Sequence, residues 1–276
     1  MDKKWNCVNL PAKTILISMF LLLANALHSQ SELASTPYSD FSVDHLGNLY
    51  TVIDEDILNK LIETSEFEIE DYNYSNRALG NITNFNVTNP LKILVNHASF
   101  STIVILDVTL RETARIYLPD LEIYSNPVAY AIANDNSVWL FDDVNMKLKR
   151  VNEGGELVFE SRNLIQDLGF APEITELQSN KKYLLAKDER KGLLLFDQFG
   201  TYIKQLPYLK DVEHFQLKGE SVFVSKKGEI KQFPLEGIGE KQIATIPSSG
   251  GQFVVQNETL YFINELGIGE ISIKKN

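Results

Sequence analysis

The side chains that could do chemistry in this chain are few and far apart. Three histidines, His45, His97 and His214, lie beyond the first thirty residues. A zinc ion needs several nitrogen, sulfur or carboxylate ligands converging at roughly 2.0–2.3 Å, so isolated histidines serve only if the fold carries them to one point. An oxygen-rich group, Asn134, Asp135, Asn136, Asp142 and Asp143, has the ligand types that calcium takes. Asn134–Asn136, however, stands where a hairpin turn would, just ahead of the apolar run Ser137–Phe141. Nucleophilic catalysis has less to stand on. There is no G-x-S-x-G elbow, and Ser248-Ser249-Gly250-Gly251 reads as a linker. Gly237-Ile-Gly239 and Gly267-Ile-Gly269 lack the remainder of a phosphate loop. The residues therefore nominate no catalytic set and no cofactor.

The elements that would position any site follow from composition and pattern. The chain has 276 residues, 44% of them apolar and 23% charged, proportions of a globular protein with a sizeable core. Its formal charge is 26 − 37 = −11, which argues against a basic face for nucleic acid. Cys7 is the only cysteine, so no intrachain disulfide can form.

Residues 1–30 read as a signal peptide. Lys3, Lys4 and Lys13 precede the apolar run Ile15–Leu23, which is followed by Ala24-Asn25-Ala26 and polar Ser29-Gln30-Ser31. The run is far short of the ~20 apolar residues of a spanning helix, so the expected mature chain, 31–276, has no transmembrane segment. Cleavage removes Cys7, Asp2 and three lysines, leaving 23 − 36 = −13. The lack of cysteine suits an oxidising compartment, periplasmic or extracellular.

A long period organises the remainder. Short apolar strands begin at Asn48, Lys92, Ser137, Lys182, Ser221 and Thr259, separated by 44, 45, 45, 39 and 38 residues. A second landmark keeps register: Asp107, Asn152 and Asp197 end strands 45 residues apart, and Gly155 and Gly200 each follow three residues later. Asp or Asn ends a strand by bonding the backbone just ahead, and glycine supplies the positive φ of the turn. Leu110 takes the glycine's place in the copy beginning at Asp107, which predicts a different turn there. Asp56–Glu63 (DILNKLIE) is open to helix or strand.

Four short antiparallel strands per period, six times over, predict an all-β six-bladed propeller rather than a sandwich, which has no long-period register. The blades fall near 39–80, 81–125, 126–170, 171–208, 209–247 and 248–276. The last has room for three strands, so a segment within 31–39 is expected to pair with it and close the ring. Ser42–Val52 and Leu195–Leu206 resemble repeats of six-bladed propellers of the NHL and TolB-like kind. Asn89–Val95, Ser101–Asp107, Ser137–Phe141 and Phe196–Tyr202 support the resemblance, and the whole order is similar to an uncharacterised family of exported bacterial propellers. The resemblance implies fold and export, and no activity.

Charge is the strongest functional lead. Residues 31–150 carry 8 − 18 = −10 and residues 151–276 carry 15 − 18 = −3. Turns after the second strand of each blade collect on one face, giving a candidate interaction rim of Asp54, Glu55, Asp56, His97, Asp142, Asp143, Lys187, Arg190, Lys226 and Lys227. The expectation is a monomeric, non-enzymatic scaffold that binds a protein or cell-envelope component. The alternative is a lactonase-like, calcium- or zinc-dependent hydrolase or lyase with its site at the central channel. Against it, no matched set of acidic or amide residues is expected at equivalent inner positions of the blades. Tyr50, Trp139, Tyr183 and Phe223 could form an aromatic sugar- or peptide-binding face, but their strand positions suit the core.

Overall fold

The computed structural model describes residues 32–34, 38–63, 69–206, 209–246, 252–264 and 267–273. The proposed signal peptide and the Ser248–Gly251 linker lie outside them. The first strand, β1 (Glu32–Ala34), stands apart in sequence from its sheet. Blade 1 is β2 (Asp40–Val43), β3 (Leu49–Ile53), β4 (Ile57–Glu63) and β5 (Ile69–Ser75). Blade 2 is β6 (Asn84–Asn89), β7 (Lys92–His97), β8 (Thr102–Leu106) and β9 (Glu112–Tyr117). Blade 3 follows with β10 (Tyr130–Ile132), β11 (Val138–Asp142), β12 (Lys147–Val151) and β13 (Leu157–Glu160). Blade 4 has β14 (Ile174–Ser179), β15 (Tyr183–Asp188), β16 (Gly192–Asp197) and β17 (Tyr202–Leu206). Blade 5 has β18 (His214–Lys218), β19 (Ser221–Lys226), β20 (Glu229–Pro234) and β21 (Lys241–Thr245). Blade 6 combines β22 (Phe253–Gln256), β23 (Thr259–Asn264) and β24 (Gly267–Ser272) with β1, which pairs antiparallel with β24.

Each sheet is four-stranded, and the inner strands β2, β6, β10, β14, β18 and β22 touch in cyclic order, which closes the ring. The expected six-bladed propeller is the observed fold, down to the closing strand. In the run from Asp56 to Glu63, Asp56 ends a turn and Ile57–Glu63 is β4, paired on both sides. A one-turn helix, α1 (Leu164–Leu168), was not anticipated; Asn163 accepts from the Ile165 N–H at its start and Gly169 ends it.

The core lies between blades rather than inside a single layer. Six apolar clusters each join neighbouring blades, the last uniting Phe41 and Val43 of blade 1 with Val254 and Ile268 of blade 6. A sheet covered on both faces has no polar side, so β7, β8 and β11 are buried at every residue. The outer strand β13, with one face in water, has no fully buried residue. Buried lysines add ties between blades: Lys60 Nζ donates to the Val108 carbonyl (2.8 Å) and Lys92 Nζ to that of Asn136 (2.6 Å). Their stems pack in the core while the heads find a carbonyl on the next blade.

The repeated turn departs from expectation at one place. Asp107, Asn152 and Asp197 each accept two backbone N–H bonds from the residues ahead, at 2.8–3.0 Å. Gly155 and Gly200 have φ 78°. Leu110 makes the same turn with φ 58° instead of a different one. Its side chain is buried in the cluster between blades 1 and 2, and that packing outweighs the left-handed strain of about 1 kcal/mol. Leu110→Gly should therefore lower stability by about 2 kcal/mol in urea unfolding, because the lost burial exceeds the strain relieved. A gain in stability would show that the turn, not the packing, dominates.

Candidate functional site

The inner strands all run in the same direction, so their first residues meet at one end of the central channel and their last residues at the other. The channel holds a cavity of about 500 Å³ lined by all of them. Asp40, Asn84, Glu176, His214 and Gln252 line one end; His45, Thr88, Ser179, Lys218 and Gln256 line the other. The first end opens on the face that carries the turns between the second and third strands of each blade, since strand direction alternates within a blade.

Register makes this set systematic. Asp40 pairs with Val52, Asn84 with Asn96 and His214 with Ser225, and each partner is the fifth residue of its blade's recurring strand. Gln252 precedes Phe253, the partner of Phe262, and so occupies the same position in blade 6. Three of the six blades thus carry an acidic or amide residue in this register, Asp40, Asn84 and Gln252, which is a partial match and not a set repeated in every blade. Glu176 sits one residue out of step, opposite Lys187, with Leu177 in the equivalent place opposite Ala186, and blade 3 has Ala129 there. The signal was present in the sequence: Asp40 and Asn84 precede their landmark strands by eight residues, His214 and Gln252 by seven.

Much of the channel's polarity holds the ring together. Gln178 donates to the Phe215 carbonyl (2.7 Å) and accepts from the Leu217 N–H (2.9 Å) of the next blade. Gln216 repeats this on Val255, donating at 3.1 Å and accepting at 2.6 Å. Lys218 Nζ donates to the same Val255 carbonyl, Ser179 Oγ to that of Ile132 and Tyr130 Oη to that of Asn84. Inner strands of neighbouring blades share no ladder, and these side chains satisfy backbone groups that would otherwise be orphaned.

The titratable groups are strongly displaced. Burial raises the Asp40 carboxyl to about 6; the Gln252 amide and the Phe41 backbone oppose this, and the charge of Glu176 adds to it. Glu176 is raised by burial against the Gln178 amide and Lys187. Burial and the nearby Lys187 charge bring His214 down to about 4, and burial lowers Lys218. Blades 1 and 4 are opposite each other in a six-membered ring, so the Asp40 carboxyl and the Glu176 carboxyl whose charge helps to raise it lie on opposite sides of the channel.

The nominated residues are placed as follows. His45 is in an exposed turn at the far end of the channel. His97, expected just after β7, is its last residue and is 0% exposed, with Tyr74 Oη 3.0 Å from its Nε2 and the Gly80 carbonyl 3.1 Å from its Nδ1. The histidines are not brought together, and among the described residues no three His, Cys, Asp or Glu form a group that could hold a metal. Asn134–Asn136 is a turn, and Asp142 is 0% exposed, ion-paired to Lys149 Nζ at 2.8 Å. Burial pushes Asp142 up, but Lys149 and Asn145 outweigh it and hold the carboxyl below its ordinary value. His97 and Asp142 thus lie behind the rim surface. Asp54, Glu55, Asp143, Arg190, Lys226 and Lys227 are exposed on it; Asp56 and Lys187 are partly covered. Arg190 pairs with Glu173 (3.1 Å), Lys226 with Asp211 (4.0 Å) and Asp56 with Arg77 (3.7 Å). Tyr50, Trp139, Tyr183 and Phe223 are core residues. Among the described residues no helix is long and apolar enough to cross a membrane.

No protein-family model matches the chain, and no curated protein matches it. Its similarity is to solved structures. The virginiamycin B lyase of Staphylococcus aureus with quinupristin aligns at a TM-score of 0.56 and 14% identity, over 87% of this chain and 83% of that one. A streptogramin B lyase aligns at 0.57 and 12% identity, over 90% and 87%. PorZ, a surface component of the type-IX secretion system of Porphyromonas gingivalis, aligns at 0.52 and 15%, over 88% of this chain and 34% of that one. At such identities the likeness is one of fold. The chain is a six-bladed propeller.

Proposed function

We propose that the chain is an exported, non-enzymatic scaffold, built from repeats of the NHL and TolB-like kind, that docks a protein or cell-envelope component on one face of the disc. The observation that carries this reading is the composition of the face with the turns after the second strands. Acidic Asp54 and Glu55 of blade 1 stand across the ring from Arg190 of blade 4 and Lys226 and Lys227 of blade 5, while Asp143 of blade 3 neighbours the basic blade 4. Large apolar side chains stand among them, Phe100 at 50% and Val144 at 63% exposure. Opposite charges arranged around apolar anchors steer encounter and fix orientation. The leader-like residues 1–30 support export, and the likeness to a secretion-system surface component agrees with a scaffold.

A photoreactive residue at position 100 or 144 should cross-link one discrete partner in cell envelopes, whereas positions 91 and 199 on the opposite face should not. The Lys226→Glu, Lys227→Glu double variant should reduce the yield at least fivefold. Equal cross-linking from both faces, or none from either, overturns the reading.

A further inference from the structure

The face with the turns after the second strands is uneven, in apolar surface and in charge. Four exposed apolar side chains, Phe100, Tyr124, Val144 and Ile165, lie on consecutive segments: the blade 2 turn, the connector to blade 3, the blade 3 turn and the connector to blade 4. Hydrogen bonds fasten these segments together. The Leu118 N–H donates to the Ser101 carbonyl (2.9 Å), which joins the Phe100 turn to the connector carrying Tyr124. Lys149 Nζ bonds the Leu121 carbonyl of that connector (2.7 Å) and pairs with Asp142 (2.8 Å), where the Val144 turn begins. The Asn163 amide donates to the Asn145 carbonyl (2.9 Å) and the Leu164 N–H to that of Met146 (2.7 Å), which seats α1, with Ile165, against the Val144 turn. At the other end of the arc, a Cβ on Gly80 would lie 3.7 Å from the Phe100 ring, and the adjacent Asn81 amide donates to Glu55 of blade 1 (2.6 Å). The opposite face has no such arc: Leu46, Leu91, Phe199 and Ile238 sit one to a blade.

Charge along the arc is one-sided. Asp54, Glu55, Asp120, Glu122, Asp143 and Asp167 are exposed on it, and among the described residues none of the six forms an ion pair. Its cations are Arg77, held by Asp56 at 3.7 Å, and Arg162. In blades 4 and 5 the same face matches its own charges: Arg190 with Glu173, Lys187 with Glu189 and Lys226 with Asp211. An apolar patch of this kind marks an interaction surface, and the charges bordering it select the sign of what covers it. From this arrangement we infer that the arc takes a basic amphipathic segment of the docking protein, with Lys or Arg side chains on the carboxylates and large apolar side chains over Phe100, Tyr124, Val144 and Ile165. The inference rests on the docking reading above and names the chemistry of the partner. Carboxylate to ammonium or guanidinium bonds form at the rim, while the apolar anchors are buried at the centre. An acidic segment or an anionic membrane surface is repelled by the same carboxylates. A second copy of the chain is a poorer match, because Arg190 and Lys226 on its basic side are already held by their own acids.

The test is fluorescence anisotropy of the purified protein with a labelled amphipathic peptide of Lys and Leu, beside two controls in which Ser replaces Leu or Glu replaces Lys. The Lys–Leu peptide should bind saturably and at least tenfold more tightly than either control, and should weaken severalfold as sodium chloride rises from about 0.05 to about 0.5 M. The double variant Asp120→Lys, Glu122→Lys and the single variant Asp143→Lys should each weaken binding at least fivefold, as should Phe100→Ser with Val144→Ser, in proteins whose melting curves show them folded. Glu258→Lys, on the opposite face, should leave it unchanged. Equal binding of either control peptide, no saturable binding, or binding indifferent to the arc variants overturns the inference. So does a dimer of the protein that dissociates in those variants, since the occupant is then a second copy. Charge reversal at Asp120, Glu122 and Asp143 should also cut the envelope cross-link from position 144 at least fivefold. A cross-link that persists undiminished keeps the docking reading and discards the basic segment, whereas no cross-link in the otherwise unsubstituted protein removes the docking reading and the inference with it.

Discussion

Deleting residues 31–39 lowers the melting temperature by roughly 6–12 °C. The strand β1 is the closing edge of blade 6, with Glu32 opposite Gly269 and Ala34 opposite Ile268. Loss of that pairing leaves a few backbone groups of β24 without partners, at about 1 kcal/mol each. The deletion also removes Ser39, whose N–H donates to the Val52 carbonyl at 3.0 Å, and Tyr38, which packs against the cluster joining blades 6 and 1. A total near 3 kcal/mol corresponds to about 2–4 °C for each kcal/mol in a chain of this size. Ala34→Pro separates the strand from Ser39 and Tyr38, because Ala34 is paired with Ile268 and proline cannot donate to a ladder, and should reproduce most of the loss. The exposed edge of β24 should also promote self-association, visible in light scattering. A melting curve unchanged in both variants would mean that the ring is held by its blade interfaces alone.

Asp40→Asn raises stability at pH 7 and exposes an opposing histidine. In the folded chain Asp40 is raised from 3.8 to about 6, so the folded state binds more protons than the unfolded one between those values. Stability must then fall as pH rises from about 4 to 6, by up to roughly 3 kcal/mol for a shift of about two units. His214 acts in the other direction. Lowered from 6.5 to about 4, it is neutral in the folded chain where the unfolded chain would be protonated, so stability rises with pH across that window. The two effects nearly cancel, and the raised Glu176 adds to the loss on the carboxyl side. The native chain should therefore show a shallow pH profile. Asparagine keeps an oxygen to accept the Gln252 N–H but cannot ionise, so the variant should become more stable with rising pH from 4 to 6.5. It should match the parent near pH 4 and exceed it by up to about 3 kcal/mol at pH 7, as read in urea unfolding. Profiles that run parallel would show that Asp40 is well solvated by channel water.

Different parts of the site were legible in the sequence to different degrees. The turns at Asn152-Glu153-Gly154-Gly155 and Asp197-Gln198-Phe199-Gly200 were readable because their chemistry is local: a side-chain acceptor and a glycine three residues on. Leu110 was misleading for the same reason, since the interblade packing that forces its left-handed backbone is not local. His97 and Asp142 follow apolar runs and looked like surface polar residues. They are buried because β7 and β11 stay between blades to their ends, where Tyr74 and Lys149 supply partners from other strands. The inner strands were the hardest to read. They are short and half-polar, and their side chains serve neighbours about forty residues away, as Gln178 serves Leu217.

What the sequence by itself determined was the number of blades and their boundaries. A sheet buried on both faces requires apolar second and third strands, and six such sheets impose a repeat that needs no long-range information to detect. Only the tertiary structure decided which polar residues meet. Asp40, Asn84, Glu176, His214 and Gln252 come from five blades and converge because ring closure brings the starts of parallel inner strands to one mouth. The displaced ionisation of Asp40, Glu176 and His214 follows from that convergence, since burial and neighbouring charge are properties of the assembled channel and of no single segment.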